Sequence, residues 1–306
     1  MKVLVVARYK ENAYAPFITE QVEALEKQGV ECRYFGINDK GLFGYLKHIR
    51  CFRRAIREFN PDAIHAHYGL CGLFANQQRR VPVITTYHGT DINNPRMLRV
   101  SRWAIRLSAF NVFVSEKNYQ SARPPKDRSA IIPCGINLAD YPLLDKDIVR
   151  ATLGWVKDRS FILFSGAFDN RIKNAPLAQA AVEHFPYISL IELKGYTRSQ
   201  VAHLMNAADG LVMTSFSEGS PQVIKEALAC GCPIISVDVG DVKNLITGID
   251  GCYIAERSAE SIATNIKKAI EFGKRTDGRQ VIEERGLTNE TIAKKLIDIY
   301  NIVVNR

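Results

Sequence analysis

The sequence contains no long apolar run, and this absence limits the kind of protein it can encode. No stretch approaches the roughly 20 consecutive apolar residues that a membrane-spanning helix needs. The first residues, MKVLVVARYK, include an apolar run too short for a signal-peptide core and no cleavage site, so they predict a buried first strand in a cytoplasmic protein. The seven Cys are scattered, with Cys230 and Cys232 as the only close pair, which favours reduced thiols over disulfides.

Several recognition signals are also missing. No G-x-G-x-x-G follows a predicted strand, which argues against a dinucleotide-dependent oxidoreductase. The sequence has no helix-turn-helix spacing, no zinc-type pairing and no RNA-binding aromatic strand, so we do not expect a nucleic-acid partner. The D-x-D tripeptide at Asp145–Asp147 lies in the predicted linker and not directly after a predicted strand, and we expect neither a metal site nor a cofactor.

Negative charge is scarce in the first half of the chain. The 306 residues carry a formal net charge of +9. Residues 1–150 contain 23 Lys and Arg against 14 Asp and Glu, whereas residues 151–306 contain 18 of each. The excess of positive charge in the first half favours an anionic partner, either a membrane surface or a phosphorylated substrate. Nucleic acid is also anionic, but the missing recognition signals argue against it.

Length and pattern predict two doubly wound, Rossmann-like α/β domains. Short apolar runs alternate with helical patterns throughout, as is typical of parallel strands covered on both faces. The runs are KVLVVA, VECRYF, DAIHAH, VPVITTYH, FNVFVS and SAIIPCG, then FILFSG, ISLIEL, GLVMTS, PIISVD and GCYIA. Weak periodicity near 134–158 indicates a linker. We predict one domain over 1–145, a second over 146–285, and a terminal helix over 286–306 that could return to the first domain.

The segment TSFSEGSPQVIKEALACGCPIIS, residues 214–236, carries the strongest chemical signal. A predicted strand ends at Ser215, and a helix is predicted to begin near Pro221 with Ser220 as its cap. Backbone N–H groups at a helix start can bind an anion or a hydroxyl. Glu218 precedes the helix and Glu226 lies about two turns along it. Both could bind one elongated ligand with diols at its two ends, such as a nucleotide-sugar. The alternative is that Glu218 caps the helix and Glu226 is solvated.

This segment resembles the E-x7-E signature of retaining glycosyltransferases with the GT-B fold, in which two Rossmann-like domains face a central cleft. More specifically, it resembles glycosyltransferase family 4, also called glycosyl transferases group 1. Other matching segments are IHAHYG at 64–69, TTYHGTDIN at 85–93, IPCGIN at 132–137 and GCPIISVDVGDVKNLI at 231–246. The resemblance implies that the domain over 1–145 binds the acceptor and that the domain over 146–285 binds the nucleotide-sugar. It also implies that Glu218 contacts the transferred sugar, with Gly219, Ser220 and Pro221 beside it, and that Glu226 holds the ribose.

A second segment, FSGAFDNRIKN at 164–174, contains two cations after a predicted strand. They could neutralise a diphosphate leaving group, although solvated loop cations are the alternative. The family usually has Arg directly after the strand-end Gly, where this sequence has Ala167. We therefore assign Lys173 to the phosphate and Arg171 as a substitute. The loop after the first strand, ARYKENAYAPF, also lacks the family's glycines, which leaves the donor contact of the first domain open.

The histidine of YHGTDIN and the basic helices complete the candidate residues. By resemblance His88 contacts the donor sugar and Asp91 supports its loop, whereas a packed His88 is the alternative. His65 and His67 alternate along one strand and share a face, and His67 is assigned to the acceptor side.

Residues 41–59 are predicted as one basic amphipathic helix that contacts an anionic membrane. The residues proposed to contact the membrane are Arg50, Arg53, Arg54 and Arg57. The alternative is that the apolar side of the helix packs on the sheet and these arginines are only solvated.

These observations lead to one functional hypothesis with two rivals. We expect a metal-independent, retaining glycosyltransferase that moves a sugar from a nucleotide-diphosphate donor, a UDP-sugar by family frequency, to a glycan or lipid-linked acceptor. Its expected role is cell-surface polysaccharide or glycolipid synthesis, peripherally on the inner face of the membrane. The catalytic residues would be His88, Lys173 and Glu218. The rivals are a sugar-nucleotide epimerase and a non-catalytic nucleotide-sugar-binding protein.

Overall fold

The computed structural model describes residues 1–39, 41–156 and 158–305, which form two compact units. The first unit comprises Met1–Gly135 and Asn289–Arg306, and the second comprises Ile136–Thr288. The chain therefore changes unit ten residues earlier than the predicted border at 145. The reason is packing: Ile136 and Tyr141 are buried in the core of the second unit.

The first unit is a parallel sheet covered by helices, as the continuous apolar runs predict. Its strands are β1 (Lys2–Arg8), β2 (Glu31–Ile37), β3 (Ala63–His67), β4 (Val83–Tyr87), β5 (Phe110–Phe113) and β6 (Ser129–Ile131). Its helices are α1 (Pro16–Glu26), α2 (Gly41–Lys47), α3 (Ile49–Phe59), α4 (Gly69–Ala75), α5 (Thr90–Asn93), α6 (Pro95–Leu107) and α7 (Glu116–Ala122). The strand order is β2-β1-β3-β4-β5-β6, and all neighbours are parallel.

The second unit repeats this architecture with five strands. They are β7 (Ser160–Phe164), β8 (Ile188–Glu192), β9 (Gly210–Met213), β10 (Ile234–Val237) and β11 (Cys252–Ala255). The helices are α8 (Lys146–Leu153), α9 (Ala175–Val182), α10 (Arg198–Ala207), α11 (Gln222–Ala229), α12 (Val242–Ile246), α13 (Ala259–Phe272) and α14 (Gly278–Glu284). The order is β11-β10-β9-β7-β8, again fully parallel. The predicted fold class of two parallel α/β domains is confirmed.

Each sheet has a switch point beside its first strand. β1 lies between β2 and β3, and β7 lies between β8 and β9. The loops that leave the carboxyl ends of β1 and β3, or of β7 and β9, therefore diverge to opposite faces of the sheet. Ligands of open α/β sheets bind in the crevice that such divergence opens. The topology thus gives each unit one preferred binding position.

The last helix, α15 (Asn289–Val304), packs in the first unit. Its apolar side, including Ile292, Leu296 and Tyr300, is buried in the same core as α1. The Tyr300 hydroxyl lies 2.6 Å from His65 Nδ1 on β3, so the helix also reaches the sheet. A periodic apolar side predicts such a helix, but only the structure shows which core receives it.

The prediction of one helix over residues 41–59 is wrong in detail. α2 ends at Lys47 and α3 begins at Ile49, with His48 between them. Phe52 and Phe59 bury the apolar side of α3, whereas Arg53 is exposed. Across the described parts of the chain, no helix is both long enough and apolar enough to cross a membrane.

Candidate functional site

Two predicted site residues meet at the switch point of the second unit. Lys173 follows β7 and Glu218 follows β9, which are the strands beside that point. Lys173 Nζ donates a 2.8 Å hydrogen bond to Glu218 Oε1, and the two side chains are 19% and 16% exposed. The pair places one cation and one carboxylate where the topology predicts a ligand. Neither of the alternatives, a helix-capping Glu218 or a solvated Lys173, describes this arrangement.

Hydrogen bonds and one glycine hold the loop that carries Lys173. The Thr214 hydroxyl donates to the backbone carbonyls of Lys173 and Asn174, both at 2.9 Å. Phe216 N donates to Ile172 O at 2.8 Å, so the loops after β7 and β9 are bonded to each other. A Cβ at Gly166 would lie 3.0 Å from Lys173 Cγ. The strand-end glycine therefore lets the lysine stem lie against the end of β7.

The remaining cations at this edge differ in their contacts. Arg171 is exposed on the same 3-10 turn as Lys173, and its guanidinium makes no hydrogen bond or ion pair with a described residue. Arg257, which the sequence analysis did not select, follows β11. Its Nη1 donates to the carbonyls of Thr214 and Ser215 at 2.8 and 2.9 Å. Arg171 is thus available to a ligand, and Arg257 braces the loop after β9.

The start of α11 differs from the predicted cap. The helix begins at Gln222, and no side chain caps its first turn, so the prediction that Ser220 is the cap is wrong. Instead Ser220 Oγ accepts a 2.8 Å hydrogen bond from Nζ of Lys225, a fully buried lysine that also donates to Gln222 Oε1 at 3.1 Å. Lys225 was missed, although a lysine within an otherwise apolar helix face is a sequence signal. Glu226 is partly exposed on the same helix.

The turn at Gly219 depends on a second glycine. A Cβ at Gly240, after β10, would lie 2.7 Å from Gly219 O and 3.2 Å from Glu218 Cβ. Gly240 also has φ +58°, a conformation that side chains with a Cβ adopt at a cost. The loop after β10 therefore fixes Glu218 and Gly219 by close backbone approach. The predicted donor residues Lys173, Glu218 and Gly219 lie on loops in mutual contact.

Three histidines of the first unit, His65, His67 and His88, are stacked in a row, and the first two are fully buried. His67 Nδ1 and His88 Nε2 are 3.0 Å apart, and His88 Nδ1 lies 3.7 Å from Cys134 Sγ. Both ring nitrogens of His88 are therefore engaged by protein atoms, which is the packed arrangement. Burial lowers the pKa of His88 and of His65 to about 3, and it lowers the pKa of His67 well below its usual range. These imidazoles are neutral at physiological pH.

Asp91 joins the loops after β3 and β4. Its Oδ1 accepts 3.0 Å hydrogen bonds from the amides of His88 and Gly89, and its Oδ2 accepts one of 3.0 Å from Gly69 N. Burial raises the pKa of Asp91 to about 6, and these backbone donors oppose that rise. The carboxylate thus supports the His88 loop, as the sequence resemblance implies.

A cavity of about 590 Å³ opens at the switch point of the first unit. This β1 crevice contains two cations, Arg8 and Lys10, and three tyrosines, Tyr14, Tyr45 and Tyr68. The glycine-free loop after β1 reaches it through a tight turn in which Glu11 and Asn12 have positive φ. Size and lining suit a small ligand with an anionic group and an apolar or sugar face.

The predicted membrane residues all lie on α3, and Arg50, Arg53, Arg54 and Arg57 are all exposed. Arg54 differs from the others because its Nε donates to Glu58 Oε1 at 2.6 Å. Within the ranges that the structure describes, no group of three or more His, Cys, Asp or Glu is arranged to hold a metal ion.

Comparison with known proteins gives a family-model match to each unit of the chain. A model of "Glycosyltransferase Family 4" matches residues 16–140, and a model of "Glycosyl transferases group 1" matches residues 160–271. The chain is 27% identical over 242 residues to a Bacillus subtilis protein named "Putative teichuronic acid biosynthesis glycosyltransferase". That alignment covers 69% of this chain and 62% of the relative, so the match spans less than two thirds of the relative's length.

Solved structures share the whole fold. Sucrose-phosphate synthase from Thermosynechococcus elongatus has a TM-score of 0.86 at 19% identity, over 100% of this chain and 99% of that one. The Anabaena protein HepE, solved in complex with UDP, has a TM-score of 0.79 at 16% identity, over 98% and 100% of the two chains. At such identities the likeness establishes the architecture alone.

Proposed function

Because the chain belongs to the glycosyltransferases of family 4 and group 1 and has their GT-B fold, we propose that it transfers a sugar from a nucleotide-diphosphate donor to a glycan or lipid-linked acceptor. The observation that carries the proposal is the Lys173–Glu218 pair at the switch point of the second unit. A donor needs a cation for its diphosphate and an acceptor of hydrogen bonds for its sugar hydroxyls, and these two side chains supply both.

The donor in this proposal is a UDP-sugar bound by the second unit. Lys173 and Arg171 contact the diphosphate, Glu218 and the Gly219–Pro221 turn orient the sugar, and Glu226 holds the ribose. Support comes from HepE, which has been solved with UDP and with UDP-glucose on the same fold. We propose that no cofactor or metal ion is needed, since preorganised cations can stabilise the departing diphosphate.

The proposed chemistry retains the configuration at the anomeric carbon. The bond from that carbon to the diphosphate breaks, the acceptor oxygen bonds to the same face, and the acceptor proton passes to the leaving phosphate. The β1 crevice, with Arg8 and Lys10, is the proposed acceptor site of the first unit. Both ring nitrogens of His88 contact protein atoms, namely His67 Nδ1 and Cys134 Sγ. In this proposal the imidazole is neutral, and it binds a ligand through nitrogen only where that ligand replaces one of these two partners.

The proposed role is polysaccharide or glycolipid synthesis at the inner face of the membrane. The Bacillus subtilis relative is named for teichuronic acid biosynthesis, which supports a cell-surface polymer as the product. The positive charge of the first half of the chain supports an anionic acceptor or surface.

A transfer assay tests the proposal and separates it from its rivals. Purified protein is incubated with a panel of UDP- and GDP-sugars, with and without a lipid-extract acceptor, and nucleoside diphosphate release is measured. We expect release that depends on acceptor. Conversion of one nucleotide-sugar into another without acceptor would identify an epimerase. A donor at 100 times its Kd that adds about 2.7 kcal/mol of stability without any turnover would identify a binding protein.

The Glu226→Ala variant tests the donor orientation. Loss of the ribose contact should weaken UDP binding by about 10-fold, as expected for a hydrogen bond to a charged group. Glu260→Ala, an exposed glutamate at the start of α13, is the matched control. Equal UDP affinity in the two variants would refute the assignment of Glu226.

A further inference from the structure

A second cavity of the first unit is lined almost entirely by arginine. It has a volume of about 690 Å³, and we call it the arginine pocket. Its lining comprises Arg50, Arg53, Ile56, Arg57, Gln78, Arg79 and Arg80, with no acidic residue among them. Its size falls within the range of small-molecule sites.

Two ordered elements present these arginines. On α3, Arg50, Arg53 and Arg57 recur at helical spacing and so share one face, and the helix is anchored by the buried Phe52 and Phe59. The segment after α4 carries the other two.

The turn that carries Arg79 and Arg80 is held by one side chain. Gln78 Oε1 accepts hydrogen bonds from the amides of Arg80 and Val81 at 3.0 and 2.9 Å. Gln78 Nε2 donates to Val81 O at 2.8 Å. The pocket is therefore built by an anchored helix and a braced turn rather than by two unrelated surface arginines.

The five positive charges of the pocket are only partly offset by carboxylate, since the pKa of Glu58 is lowered first by Arg54 and to a smaller extent by Arg33 and Arg57. None of its five arginines forms an ion pair with a described residue, whereas their neighbour Arg54 is paired with Glu58 at 2.6 Å. Like charges gathered in a concave surface repel one another and raise the local positive potential. An anion with several oxygens would relieve that repulsion, and planar guanidinium groups bind phosphate oxygens in pairs.

The arginine pocket is separate from the β1 crevice. Arg79 and Arg80 stand shortly before β4 begins at Val83, and α3 ends shortly before β3 begins at Ala63. The pocket therefore lies toward the amino ends of these parallel strands, and the crevice lies at their carboxyl ends. The two linings share no residue.

We propose that the arginine pocket is a binding site for a phosphate-rich anion, namely a phosphomonoester or diphosphate group. The site is distinct from the donor and acceptor positions proposed above, and its occupancy does not depend on sugar transfer. Such a group is carried by a free phosphate compound or by a phosphomonoester lipid headgroup, and the two sources share the chemistry that the guanidinium groups recognise.

The test compares two double variants of equal charge. Arg53→Gln/Arg79→Gln removes two pocket cations, and Arg99→Gln/Arg102→Gln removes two exposed cations of α6 outside the pocket lining. Inorganic pyrophosphate is titrated by calorimetry, and sedimentation is measured with phosphatidylcholine vesicles that contain either phosphatidic acid or phosphatidylglycerol. Any binding of pyrophosphate at Lys173 is common to both variants and cancels in the comparison.

We expect the pocket variant to bind about 10-fold or more weakly than wild type in the pyrophosphate arm, the phosphatidic acid arm or both, and the control variant to stay within about 2-fold. The arm that shows the difference identifies the source of the phosphate. Equal losses in both variants would show only diffuse attraction and overturn the proposal. Absence of binding by the wild-type protein to both probes would overturn it as well.

Discussion

Lys173 Nζ lies 2.8 Å from Glu218 Oε1, although 45 positions separate the two residues in the chain. The contact forms because β7 and β9 are neighbours and both loops leave the carboxyl edge of the sheet. Each side chain keeps the other oriented through this hydrogen bond. Binding of a donor would break the Lys173–Glu218 salt bridge, because the diphosphate attracts Lys173 and the sugar hydroxyls donate hydrogen bonds to Glu218. The salt bridge is therefore a preorganised form of the proposed site.

Replacing Lys173 by Ala should lower turnover by roughly 100-fold, as removal of other preorganised charge stabilisers does. The Kd for donor should change much less, because the ribose contact is intact. Steady-state kinetics and calorimetry on the same preparation measure the two effects. Lys267→Ala, an exposed lysine on α13, is the matched control, and equal turnover in the two variants would contradict the role of Lys173.

Replacing Gly240 by Ala should weaken donor binding, whereas Gly248→Ala should not. Both glycines have positive φ, +58° and +85°, so both variants lose about 1 kcal/mol or more of stability from backbone strain. Only at Gly240 would the new Cβ meet Gly219 O, at 2.7 Å, and displace the turn beside Glu218. Thermal unfolding measures the backbone strain that both variants share, and donor titration measures the effect of displacing the turn in the Gly240 variant. A donor Kd that is the same in both variants would show that the turn is not part of the site.

Activity should survive an excess of EDTA. In the proposed reaction Lys173 and Arg171 neutralise the leaving diphosphate, which is the task that a divalent cation performs in metal-dependent transfer. The measurement is the transfer rate before and after chelation, with Mg²⁺ and Mn²⁺ added back. If EDTA abolishes transfer and either ion restores it, then Lys173 and Arg171 do not suffice to neutralise the leaving diphosphate.

The protein should lose stability as pH falls from 7 to 5. The unfolded His65, His67 and His88 titrate near 6.5, but burial keeps all three neutral in the folded state, so the unfolded chain binds more protons below that pH. Each histidine then costs about 2 kcal/mol at pH 5. Asp91 acts in the opposite direction, because its pKa is raised to about 6 and its folded form binds the proton first.

The net loss between these pH values should be about 4–5 kcal/mol, measured by urea unfolding at several pH values. His184→Gln serves as the control, since His184 is exposed and its loss should leave the pH dependence unchanged. Equal stability at pH 5 and pH 7 would show that the buried histidines accept protons in the folded state.

Local pattern accounts for what the sequence predicted well. Central strands such as β1, β9 and β10 coincide with continuous apolar runs, because a central strand of a parallel sheet is buried on both faces. The edge strand β2 is only partly buried and carries Glu31 and Arg33. The E-x7-E segment and the cations after FILFSG were likewise readable, since loops after strands carry the binding groups in this architecture. The break between α2 and α3 at His48 could not be predicted from the sequence, because the apolar and basic pattern continues across both helices.

By itself, the sequence therefore determined the strands, the fold class and the identity of Lys173 and Glu218 as candidate residues. Only the tertiary structure decided the partners. It joined Lys173 to Glu218, engaged both nitrogens of His88, and brought Arg53 and Arg79 to one cavity. The physical reason is that burial and periodicity are properties of a short segment, whereas a hydrogen bond or an ion pair depends on which strands are neighbours and on where their loops meet.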